Sequence, residues 1–89
     1  MRISAQVSLY PLRQARLTPV IEQALALFRE LGLHVEPGIM STTVIGERDL
    51  VFGALQDVFC RAAASGDLVM QVTFSNACPL PGVIETHAD

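Results

Sequence analysis

Apolar and polar residues alternate near both ends of this chain, and between them they recur at helical spacing. The first run is Ile3-Ser4-Ala5-Gln6-Val7-Ser8-Leu9-Tyr10, and the last is Leu68-Val69-Met70-Gln71-Val72-Thr73-Phe74-Ser75. Period-two alternation predicts strands with one apolar face each. Pro11 is expected to end the first strand, because proline cannot donate to a ladder.

A loop from Leu12 to Leu17 leads to Thr18-Pro19, which suits an N-cap followed by the first helical position. Leu17, Ile21, Ala24, Phe28 and Leu31 form a stripe that Val20, Leu25 and Leu27 widen, and Gly32 suits the left-handed C-cap. Leu33 to Glu36 reads as a short second strand, Pro37-Gly38 as a turn, and Ile39 to Ile45 as a third strand broken by Gly46. Asp49 is the expected N-cap of a second helix running to about Ala64, with Val51, Leu55, Val58 and Ala62 on its inner stripe and Phe52 and Phe59 beside it. Gly53 lies inside that helix, where a close approach to the sheet would account for it.

Strand, helix, strand, strand, helix, strand is the split βαβ, or ferredoxin-like, arrangement. The expected class is α+β: an antiparallel sheet in the order 4-1-3-2 with both helices on one face. The domain is expected over residues 1–80, with a flexible tail over 81–89.

The opposite sheet face is unusual. The first strand contributes Ser4, Gln6, Ser8 and Tyr10, and the last Val69, Gln71, Thr73 and Ser75, none of them charged. Solvated sheet faces usually carry charge. A polar face without it is more often covered, by a second subunit or by a ligand that needs neutral hydrogen-bond partners. Packing against a twin sheet is the simpler reading, and a pocket at the rim of such an interface is compatible with it.

Composition narrows the partners. A net charge of −3 over 89 residues argues against nucleic acid, whose phosphates call for clustered basic residues. RNA-recognition sheets also stack bases on aromatic residues, and here the open face offers only Tyr10. No apolar run reaches the roughly 20 residues of a membrane span. Met1-Arg2-Ile3 enters a strand with no signal-peptide pattern, so a cytoplasmic location is the default. Half the residues are apolar, and so small a domain gains from oligomerising.

Candidate chemistry is modest. Cys60 and Cys78 show no metal-ligand spacing, and Cys60 is expected to be a small core residue. Cys78 would be a nucleophile only if the fold lowered its pKa. Tyr10 could stack on a ring or face a cation. Glu47 and Asp49 suit the start of a helix, though Glu47 could also meet a cationic ligand. Asn76 suits a turn, His34 an exposed strand position, and His87 the tail.

Taken in order, Val7-Ser8-Leu9-Tyr10-Pro11, Pro37 through Glu47, Val51-Phe52, Gly66 and Ser75-Asn76-Ala77-Cys78-Pro79 resemble the YkoF-like thiamine and hydroxymethylpyrimidine-binding family. The likeness runs from about Ile3 to Pro79. It implies a ferredoxin-like domain, dimers or tetramers built through the sheets, and binding of thiamine or its pyrimidine precursor without catalysis. Some relatives carry two such domains in tandem, so a single domain would rely on a homodimer.

An aminopyrimidine pairs with hydroxyls and amides, and a thiazolium with a carboxylate or a tyrosine face. The expected ligand residues are therefore Ser8, Tyr10, Thr42, Thr43, Glu47 and Ser75, with no catalytic residue, metal or cofactor. Antiparallel pairing places Thr42 and Thr43 nearer Tyr10 than Glu47, and Ser75 toward Glu47. One domain would not easily gather all six, and a symmetric partner could supply some. The competing readings are an oligomerisation module without a ligand and an enzyme using Cys78.

Overall fold

The structure, a computed structural model, describes residues 1–13 and 18–77. Its elements follow the expected order: β1 (Arg2–Pro11), α1 (Thr18–Glu30), β2 (His34–Pro37), β3 (Thr42–Glu47), α2 (Arg48–Ala63) and β4 (Leu68–Ser75). The four strands form one sheet in the order β2-β3-β1-β4, every neighbouring pair antiparallel. This is the expected 4-1-3-2 order read from the other edge. The tail over 81–89, together with Leu17, Cys78 and His87, lies outside the described residues.

Alternation along the central strand builds the core. Ile3, Ala5 and Val7 of β1 meet Ala24, Leu27 and Phe28 of α1 and Val51, Ala54, Leu55 and Val58 of α2. Phe28, Val44, Val51 and Val58 are the largest side chains sealed completely. Both helices therefore bury their apolar stripes against one sheet face.

Four local expectations are corrected. First, β3 starts at Thr42, not Ile39. The Gly38 N–H donates to the Ser41 carbonyl at 2.7 Å, closing a tight loop between Pro37 and Thr42, which pair across the β2–β3 hairpin. A Cβ on Gly38 would lie 2.8 Å from that carbonyl oxygen, so only glycine fits without backbone movement.

Second, Gly46 does not break β3. It pairs with Ile3 inside the strand, and its missing side chain makes room for Leu33, whose Cδ2 would lie 2.5 Å from an added Cβ.

Third, α2 is preceded by Glu47 as N-cap, without a side-chain cap bond, and Asp49 falls in the first turn, where its charge complements the helix dipole. Gly53 meets nothing on its Cβ side and makes no close approach to the sheet.

Fourth, Cys60 is exposed. The stripe through Val58 and Ala62 defines the inner face of α2. A residue two positions from both points away from it, since each step turns the helix by about 100°.

Candidate functional site

The strand register lays out the open face in rows. Ser75, Ser4, Ile45 and His34 form one row, and Thr73, Gln6, Thr43 and Glu36 the next. Gln71 pairs with Ser8, and Val69 with Tyr10, toward one end. Arg2 pairs with Glu47 at the other end. Among the described residues, charge on this face is thus confined to the β2 edge and to the Arg2–Glu47 end, and the centre carries hydroxyls, amides and the buried Ile45. Ser4 is buried, and its Oγ donates to the Ser75 carbonyl at 3.4 Å.

The central strand outruns one of its neighbours. β3 begins at Thr42 opposite Val7, whereas β1 continues to Pro11 paired only with β4. Ser8 through Pro11 therefore present a strand edge with no β3 beside it. Alternate backbone N–H and C=O groups of such an edge can bind something other than a strand. The Gly38–Ser41 loop lies alongside, held where the Ser8 hydroxyl donates to the Met40 carbonyl at 3.4 Å.

A cavity of about 110 Å³ opens at this edge. Ile21, Ala24, Leu25 and Phe28 of α1 form its apolar wall, with Val7 and Leu9 of β1. Ser41 and Thr42 bring hydroxyls, Ser8 lines the cavity while its own hydroxyl, on the open-face side, donates to the Met40 carbonyl, and Ile39 and Met40 stand at the loop. Among the described residues, none that lines it is charged. Ile39 is fully exposed and Met40 is 80 % exposed, unusual for apolar side chains beside an apolar cavity. An apolar bed with a few neutral polar groups suits a flat, uncharged heterocycle.

The six expected ligand residues are placed as follows. Ser8 and Thr42 line the cavity. Thr42 pairs with Val7 and so points to the helix side, one face away from Thr43, which pairs with Gln6 on the open face. Tyr10 is exposed on the open face two residues beyond Ser8. Ser75 lies beside Ser4, and its Oγ accepts the Ala77 N–H at 3.0 Å, a local turn bond. Glu47 accepts from the N-terminal ammonium at 3.1 Å at the far end of the sheet. Ser8 and Thr42 are thus brought together, Tyr10 and Thr43 stand near them, and Ser75 and Glu47 stand apart.

Sequence reasoning missed the α1 wall and the loop residues. Ile21 and Leu25 were legible as helix-stripe positions, but a stripe does not tell which of its members a short neighbouring strand leaves uncovered. Elsewhere among the described residues, exposed side chains pair as Arg13 with Asp67, His34 Nε2 with Glu36 at 3.1 Å, and Arg48 with Asp49 at 3.0 Å. Among the described residues there is no cluster of metal-ligating side chains, and no helix is long and apolar enough to cross a membrane.

The model of the YKOF-related family matches residues 2–81 of the chain. No curated protein matches it. Among solved structures, a hypothetical protein from Methanocaldococcus jannascii superposes with a TM-score of 0.79 at 23% identity, over 97% of this chain and 91% of that one. A Thermotoga maritima protein provisionally assigned to thiamine biosynthesis or salvage superposes with a TM-score of 0.76 at 21% identity, over 98% and 95% of the two chains. A Streptococcus pneumoniae protein gives 0.79 at 20% identity over 100% of both. At these identities the likeness speaks to the fold.

Proposed function

The chain belongs to the YKOF-related family, and from that premise we propose that it is a binding protein for thiamine or its hydroxymethylpyrimidine precursor. Binding occurs without turnover. The observation that carries this reading is the cavity at the bare edge of β1, where an apolar wall from α1 faces the hydroxyls of Ser41 and Thr42 and the backbone edge at Ser8. The pyrimidine ring lies against Ile21 and Leu25, and its amino group and ring nitrogens pair with those hydroxyls and with the free strand edge.

At about 110 Å³ the cavity holds one substituted ring; drug-sized pockets begin at roughly 300 Å³. The thiazolium of thiamine therefore extends past Ile39 and Met40 toward Tyr10, whose π-face suits a fixed cation. The exposed Ile39 and Met40 side chains fold onto the ligand, and a flexible methionine adapts well to such a surface. The uncharged open face supports assembly into dimers or tetramers through the sheets.

Calorimetric titration with hydroxymethylpyrimidine, thiamine and thiamine phosphates tests the reading. Saturable binding of the pyrimidine or of thiamine is expected. No heat and no ligand-induced thermal shift with any of them would leave the second reading, an oligomerisation module whose uncharged face is only an interface.

A further inference from the structure

Ile45 is buried on the side of the sheet that the helices do not cover. It pairs with Ser4, so it faces away from α1 and α2, and it lies outside the core beneath them. It is nevertheless only 2 % exposed, and Ser4 beside it 9 %. The protection is confined to one row. In the next row Thr73, Gln6 and Glu36 are exposed and Thr43 is half-buried, and on the other side Arg2 and Glu47 are exposed. A fully buried side chain touches roughly 6–12 residues, and a single sheet layer with water above it does not supply them. The burial is that of one chain by itself, so a second copy is not what provides it.

We propose that residues 78–84 of this chain cross the open face and lie over Ser4 and Ile45. The covered row is the one in which β4 ends: Ser75, Ser4, Ile45 and His34. The chain turns at that point, the Ser75 Oγ accepting the Ala77 N–H at 3.0 Å. Neighbouring strands stand about 4.8 Å apart, so Ile45 lies about 10 Å across the sheet from Ser75. An extended chain advances about 3.3 Å per residue, which brings Leu80 over Ile45 and Val83 and Ile84 toward the β2 side. Residues 14–17 are too far away to be the cover. They join Arg13 to Thr18 beyond the Pro11 end of β1, and Pro11 lies roughly 23 Å along the strand from Ser4.

The composition of the segment suits the crossing. A chain laid across strands does not join their ladder, so its N–H groups find no strand partner. Pro79 and Pro81 have no N–H to satisfy. Leu80, Val83 and Ile84 supply the apolar side chains that an isoleucine needs above it. The crossing divides the open face. The Ser4–Ile45 row is taken by the chain itself, and the part left for other contacts is the half with Gln6, Gln71, Thr73 and Tyr10, toward the cavity. The crossing does not depend on the ligand reading, and neither experiment below uses a ligand.

Nuclear Overhauser effects in the unaltered, methyl-labelled chain test the proposal. Contacts from the Ile45 methyls to Leu80, Val83 or Ile84 are expected, and in a mixture of labelled and unlabelled chains they remain within one chain. Contacts of Ile45 confined to side chains of the sheet, or made to a second copy, overturn the proposal.

The double variant Leu80→Asp, Val83→Asp gives a second reading, with circular dichroism as the folding control. A soluble paramagnetic agent is expected to leave the Ile45 methyl signals nearly unbroadened in the parent and to broaden them severalfold more in the variant. Val44, on the helix side, stays protected in both. Equal protection of Ile45 in the parent and the folded variant overturns the proposal.

Discussion

Phe52 on α2 and Phe74 on β4 stack with centroids 4.4 Å apart and planes inclined by 16°, although both rings are substantially exposed. This contact pins the start of α2 to the last strand. Phe52→Leu and Phe74→Leu are expected to show a coupling energy of about 1 kcal/mol in a double-mutant cycle, beyond the area each loses. Urea unfolding of the four variants measures it, and additive losses would mean the stack contributes no more than its parts.

Gly53 sits in the interior of α2 with open space where a side chain would stand. Gly53→Ala is expected to raise the unfolding free energy by about 1 kcal/mol, through helix propensity alone. The same denaturation experiment checks it, and a loss of stability would show that something packs against this position.

Gly38 is the opposite case. Its added Cβ would meet the Ser41 carbonyl oxygen, which is backbone and cannot swing aside. Gly38→Ala is expected to cost about 1–3 kcal/mol. It should also weaken ligand binding, because the loop from Gly38 to Ser41 forms one wall of the cavity. Parallel denaturation and calorimetry would expose a change in stability without a change in affinity, which would detach the loop from the site.

The cavity hydroxyls carry the ligand prediction. Thr42→Val is expected to weaken hydroxymethylpyrimidine binding by about 1 kcal/mol, the scale of one lost hydrogen bond, and Ser8→Ala to weaken it by releasing the Met40 loop that the Ser8 hydroxyl holds. Thr43→Val, on the other face, has a smaller effect unless the ligand reaches the open side. Unchanged affinity for both cavity variants would move the site away from the bare edge of β1.

The uncharged face carries the assembly prediction. Gln6 lies in the row between Thr73 and Thr43. Gln6→Glu places a carboxylate in the middle of that face, and burying it without a partner is costly. Weaker self-association is expected by light scattering. Assembly equal to that of the parent would show that this face stays in water.

Short-range pattern was enough for much of this fold. Alternation in Ile3–Tyr10 and Leu68–Ser75 determines which residues face the helices, because successive strand residues point to opposite sides. The order of elements, combined with the handedness of crossovers, leads to the 4-1-3-2 sheet. The neutral face of β1 and β4 was legible for the same reason. Other features depend on where neighbours end, which no local pattern encodes. Ile39 to Ser41 have the residue types of a strand, but the Gly38–Ser41 hydrogen bond turns them into a loop and starts β3 at Thr42. That shortening leaves Ser8–Pro11 bare on one side and opens the cavity against α1. Cys60 has the size and polarity of a core residue, yet helix phase puts it outside. Residue types restrict each position to a few environments, and only the packing of elements distant in sequence selects among them.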